Sequence, residues 1–133
     1  MTIKNYYLQI DTHKKFEIID ITSRINDLID VDEGIISIFS KHSTTAIVVN
    51  ENESGLLKDF ESILNDLVPD DNYNHDKIDN NASSHLKSLL LSSGECLPVK
   101  DFRLDLGVWQ SVFFIELDGP RVARTISLKV ISD

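Results

Sequence analysis

The segment Val108-Trp-Gln-Ser-Val-Phe-Phe-Ile-Glu-Leu117 sets the tightest limit on what this chain can fold into. Successive side chains of a strand point to opposite faces. Val108, Gln110, Val112, Phe114 and Glu116 therefore share one face, and Trp109, Phe113, Ile115 and Leu117 take the other. Both faces are mostly apolar, so the strand is central and needs cover on each side. Gln110 and Glu116 then require polar partners within that cover.

The rest of the pattern supplies it. Tyr7 to Thr12 and Phe16 to Ile21 read as two strands of a hairpin around His13-Lys14-Lys15. Ile21, Ile25, Leu28 and Ile29 recur at helical spacing over Thr22 to Asp30, and Gly34 breaks that helix. Ile35 to Phe39 and Thr45 to Val49 are strand-length apolar runs. A helix opens at Ser54, with Leu56, Phe60, Ile63, Leu64 and Leu67 on one face, and ends at Pro69. A second spans about Ala82 to Leu91, with Ala82, Leu86, Leu89 and Leu90 as its stripe and Asn80 or Asn81 as cap. Cys96 to Val99 and Val122 to Ile131 complete the strands, with a Gly119-Pro120 turn between Leu117 and Val122. Strands in runs rather than strict alternation with helices predict an α+β class. The expectation is one domain over residues 1–133, a sandwich of mainly antiparallel strands with two or three helices.

No repeat or linker interrupts the 133 residues, and a 41% hydrophobic fraction is enough for one core. A lone cysteine, Cys96, forbids an internal disulfide and reads as a core residue in a reducing, cytoplasmic setting. The N-terminus has no signal-peptide pattern, and no apolar run approaches the roughly 20 residues of a membrane helix. A formal net charge of −9 argues against nucleic acid and membrane partners. A small anionic ligand would need a local basic pocket.

Four histidines leave position to decide their roles. His13 lies at a hairpin tip beside two lysines. His42 joins two apolar strands in Ser40-Lys-His-Ser-Thr-Thr45, His75 lies in an acidic loop, and His85 borders a helical stripe. Three neutral imidazoles with an open fourth position would form a catalytic zinc site. Spacing leaves open the alternative, a carbonyl-bonded His85 and two loop histidines. Arg124 shares its parity with Ile126, Leu128 and Val130 and so points toward the core, to pair with Glu116 or to clamp a phosphate. Glu51 and Asp79 are candidate bases or orienters beside a metal-bound water.

Taken together, these residues resemble a known family. Phe39-Ser-Lys-His-Ser-Thr-Thr-Ala-Ile-Val-Val-Asn-Glu51 is similar to a segment of the YjbQ-type family, also called the secondary thiamine-phosphate synthase enzyme family. The likeness continues through Asp59-Phe-Glu61, Leu67-Val-Pro69, His75-Asp76, Asp79-Asn80 and Ser84-His-Leu-Lys-Ser88. It ends with Leu106-Gly-Val-Trp-Gln110, Glu116 and Asp118-Gly-Pro-Arg121. The resemblance implies a homotrimer, a metal held by His42, His75 and His85, and weak thiamine-phosphate synthase activity. Val108 stands where the family usually has threonine, and Phe102 near a usual glycine, departures that touch substrate choice.

The leading expectation is a transferase that joins a pyrimidine diphosphate to a thiazole phosphate with release of pyrophosphate. Ser43, Thr44, Thr45 and Gln110 would bind the substrate, Arg121 and Arg124 would clamp phosphate, and Trp109 would stack on a heterocycle or sit in the core. Zinc is the expected metal, with magnesium the alternative during turnover. The competing expectations are a zinc-dependent hydrolase of a small phosphate or amide, with Glu51 or Asp79 as base, and a non-catalytic metal-stabilised module that binds a small anion.

Overall fold

A computed structural model describes all of residues 1–133. Five strands, β1 (Thr2–Ile10), β8 (Arg124–Ser132), β3 (Glu33–Ser40), β5 (Gly94–Lys100) and β6 (Arg103–Leu104), form the larger sheet in that order. A smaller sheet runs β2 (Glu17–Asp20), β7 (Gln110–Glu116), β4 (Thr45–Glu51). Every pairing is antiparallel. The helices are α1 (Thr22–Leu28), α2 (Ser54–Leu67) and α3 (Ala82–Leu91), with a 3-10 turn over Asn74–Lys77. The α+β antiparallel architecture expected from the pattern is the one observed. No helix is long and apolar enough to cross a membrane.

β7 is the central strand that its sequence demands. Val112 and Phe114 face the larger sheet, packing with Ile36, Ile38, Ile126 and Leu128 and with Ile21, Ile25 and Ile29 of the α1 region. Phe113, Ile115 and Leu117 face the other way, into a second cluster with Ala46, Leu57 of α2 and Leu91 of α3. The layers are thus large sheet, small sheet, helices. The seven residues of α1 are too few to hold a helix alone; burial of Ile25 holds it. At α2, Glu53 accepts the Leu56 N–H and caps the first turn. Gly34 keeps β3 against β8, since an added Cβ would lie 2.3 Å from the carbonyl oxygen of Ile131.

The structure corrects four local expectations. First, β1 and β2 are not a hairpin, because β1 pairs with β8 and β2 with β7, in different sheets. The apolar residues of β2 serve the small sheet, and residues 11–16 carry the chain from one sheet to the other. Second, the Gly119-Pro120 turn does not fold β8 back beside β7; it likewise carries the chain from one sheet to the other. Third, α3 turns Ala82, Ser84 and Ser88 inward and leaves Leu89 and Leu90 exposed. The Ser84 and Ser88 hydroxyls donate to the carbonyls of Leu117 and Thr45. Small hydroxyl residues let the helix approach the strand ends closely, which a row of leucines would prevent. Cys96 is also exposed rather than in the core.

A candidate site at the histidine end of the sandwich

Glu116, the last residue of β7, is fully buried, and Arg124, the first of β8, is 6% exposed. Arg124 donates from Nε to Glu116 Oε1 at 2.9 Å and from NH2 to Oε2 at 2.6 Å. A second bond from NH2 reaches Thr44 Oγ1 at 3.0 Å. The Thr12 hydroxyl and the Asp118 amide complete the carboxylate's acceptors at 2.7 and 3.1 Å. Burial alone would push the Glu116 carboxyl upward; the bonds from Arg124, Thr12 and the Asp118 amide outweigh it and hold the group below the ordinary range. No buried side-chain polar atom is left without a partner.

His42 follows β3 and abuts this cluster. The Thr125 amide donates to His42 Nε2 at 2.9 Å. An amide N–H can only donate, so Nε2 carries the lone pair and Nδ1 the proton. Burial, then the charge of Arg124, lower the His42 pKa against the opposing pull of Glu116. His42 is accordingly a neutral ring that offers an N–H.

His75, in the 3-10 turn, and His85, on α3, pack edge to face with ring centroids 4.8 Å apart. His75 Nε2 lies 3.0 Å from Asn81 Oδ1, and Asn81 Nδ2 donates to Asp118 Oδ2 at 2.8 Å. Asp118 also accepts Lys15 Nζ on Oδ1 at 2.6 Å and Arg121 NH2 on Oδ2 at 3.1 Å. Burial opposes its charge, but the bonds from Lys15 and Asn81 and the field of both cations keep the carboxyl below its ordinary range. An open depression of about 660 Å³ adjoins, lined by Phe39, Ser43, His85, Ser88 and Leu89 among others.

The three histidines expected to share a metal are not placed as one ligand set. Two of them meet, but no group of three or more His, Cys, Asp or Glu side chains is disposed to hold an ion. His42 in particular has one nitrogen on the Thr125 amide and a proton on the other. The donor set of one chain therefore does not fit a three-histidine ion.

The other candidates divide between two ends of the small sheet. Ser43 lines the depression, and Arg121 stands half-exposed on Asp118. Thr44 and Thr45 are buried, their hydroxyls used on Arg124 and on Ser40 and the His42 carbonyl. Arg124 has the carboxylate partner rather than an open face. Asp79 is exposed beside the 3-10 turn, its amide bonded to the His75 carbonyl. Glu51 and Gln110 are register partners at the far end, whereas Thr45 pairs with Glu116 at the histidine end. Those pairs are separated by the length of β7, about 20 Å at ~3.3 Å per residue. Trp109 lies at the far end too, 72% exposed, outside both the core and the histidine end. Lys15, Thr12, Asn81 and Thr125 belong to the site and were not visible as such in the sequence. Only Asn81 carried a signal, and it read as a helix cap.

Two outcomes follow from this geometry. Replacing Glu116 with Gln strands Arg124 and should cost about 3–5 kcal/mol at neutral pH in chemical denaturation. Because the Glu116 pKa is depressed on folding, its contribution is complete above the ordinary carboxylate range and disappears as pH falls through the folded value. The gap between wild type and Glu116→Gln should therefore narrow on acidification; a pH-independent gap would contradict the assignment. Elemental analysis of tag-free protein should give the same divalent metal content per chain for wild type and His42→Ala. Loss of metal on this substitution would make His42 a ligand.

The comparisons with known proteins agree on what this architecture is. The profile of the UPF0047, YjbQ-like family matches residues 6–133. A UPF0047 protein of Methanothermobacter thermautotrophicus is 48% identical over 128 residues, 93% of this chain and 90% of that protein. The UPF0047 protein YugU of Bacillus subtilis is 32% identical over 128 residues, 93% of this chain and 96% of the relative. A crystal structure of a protein of unknown function from Sulfolobus solfataricus superposes with a TM-score of 0.92 at 34% identity, covering 99% of this chain and 100% of the other. With a family match across almost its whole length and the same fold in its relatives, the chain belongs to the YjbQ-like UPF0047 family.

Proposed function

We propose that the histidine end is the active site of a cytoplasmic enzyme acting on small phosphorylated substrates, with thiamine-phosphate synthesis as its reaction. The observation that carries this reading is a pair of cations on one carboxylate in a chain of net charge −9: Lys15 and Arg121 both address Asp118, which Asn81 joins to His75. Both cations are half-exposed, so phosphate oxygens can reach them.

The transfer needs donors more than it needs a base. The thiazole nitrogen attacks the pyrimidine methylene carbon, the carbon–oxygen bond to the diphosphate breaks, and the leaving oxygen keeps the electron pair. Negative charge grows on pyrophosphate, where Arg121, Lys15 and the Ser43 hydroxyl supply stabilising donors. The His42 Nδ1–H is a further donor at this end of the sandwich. No proton has to be removed from the attacking nitrogen. A hydrolase, by contrast, requires a base at the reacting water, and Glu51 stands about 20 Å along the sheet from the histidine end.

Over-expression should restore growth without thiamine to cells that lack their main thiamine-phosphate synthase. Arg121→Ala and His85→Ala should abolish the rescue while circular dichroism shows them folded, and Glu51→Gln should retain it. Absence of rescue, with no product from purified protein and both substrates, would leave an anion-binding module.

We also propose that the protein is a homotrimer that covers the outer face of the large sheet. Ile3, Ile131, Ile35 and Pro98 are consecutive register partners across β1, β8, β3 and β5, an unbroken apolar row on an exposed face. Such a row is a feature of association surfaces rather than of solvated ones. Light scattering with size exclusion should report about three times the 15.1 kDa of one chain. An Ile131→Glu, Ile35→Lys variant should fall to one chain mass with its secondary structure intact.

A further inference from the structure

We infer that Asn81 and Asp118 are positioning residues that fix the tautomer of His75, leaving Nδ1 as the nitrogen through which His75 meets its ligand. Lys15 and Arg121 both donate to Asp118, which is therefore ionised and can only accept. The Asn81 group 2.8 Å from Asp118 must then be the NH2, so the amide oxygen faces His75 Nε2 at 3.0 Å. An amide oxygen also only accepts, which requires a proton on Nε2. In the neutral ring the lone pair is consequently on Nδ1.

A second observation separates this role from ordinary capping. Asn81 is the residue before α3, where an Asn side chain usually bonds the first free amides of the helix. Here its side chain makes no such bond. The Ala82 amide is satisfied instead by Asp76 Oδ1 at 3.0 Å. The Asn81 side chain is 37 residues from Asp118 in sequence and is spent wholly on joining it to His75. The result complements His42, whose Nε2 is taken by the Thr125 amide and whose Nδ1 bears the proton. The two rings are thus held in opposite tautomers, each by a partner of fixed polarity.

The inference rests on His75 belonging to the working site, and its test reads the ring directly rather than turnover. Long-range proton–nitrogen correlation spectra of 15N-labelled protein at pH 8, with His75 assigned by its loss in His75→Ala, report which nitrogen is protonated. Wild type should show a pyrrole-like, protonated Nε2 for His75. Asn81→Leu removes the acceptor, and Asp118→Asn removes the constraint that orients it. Both should move the His75 signals toward the averaged values of a free imidazole, with circular dichroism unchanged. A protonated Nδ1 in wild type overturns the inference, as do unaltered His75 signals in whichever of the two variants folds. Because no substrate enters the measurement, a failed rescue of thiamine auxotrophy and a failed tautomer assignment remain separate results.

Discussion

The buried pair between Glu116 and Arg124 is the interaction on which the rest of this structure depends. It joins the end of β7 in one sheet to the start of β8 in the other. Two charges taken out of water are costly unless every remaining lone pair and proton is satisfied. Here Thr12, Thr44 and the Asp118 amide complete the set. Apolar packing would hold the sheets together over a range of offsets, whereas a bidentate ion pair fixes one. That offset determines where residues 41–44 and residues 117–123 leave the sheets, and so where the candidate site lies.

The site is an extension of that pair. Thr44, bonded to Arg124, is two residues from His42, and Asp118, whose amide bonds Glu116, is the anchor for Asn81, Lys15 and Arg121. The 3-10 turn and α3 then bring His75 and His85 together over it. The chain thus builds an ordered polar network outward from a buried charge. Each member is held by a group that can only donate or only accept, and low local dielectric makes any mispairing expensive. Such fixed polarity holds each donor and acceptor of the network in one orientation.

The same constraint divides residues that the family resemblance groups together. Glu51, Trp109 and Gln110 are carried to the opposite end of the small sheet by the straight run of β4 and β7. A strand is stiff, so residues at its two ends cannot serve one small ligand within a single chain. The exposed Trp109 and the bare apolar row on the large sheet are instead features of the molecular surface.

The sequence by itself determined a good deal. Two-faced apolarity in Val112 to Leu117 made β7 central, and helical spacing from Ile21 to Ile29 required a buried helix, because side-chain period is a local property of each element. The parity of Arg124 and of Glu116 pointed both inward and made them candidate partners, with a phosphate clamp as the alternative; the structure chose the pair. What only the tertiary structure decided was which strand lies beside which. Tyr7 to Thr12 and Phe16 to Ile21 satisfied the pattern of a hairpin, yet each has its complementary row on a strand about a hundred residues away. The leucines of α3 satisfied a stripe, yet close approach to the strand ends selected the serines. Asn81 satisfied a helix cap, yet Asp76 took that role and freed it for His75. In each case the local pattern admitted two partners, and the choice followed from long-range register and close packing, which no short window of sequence contains.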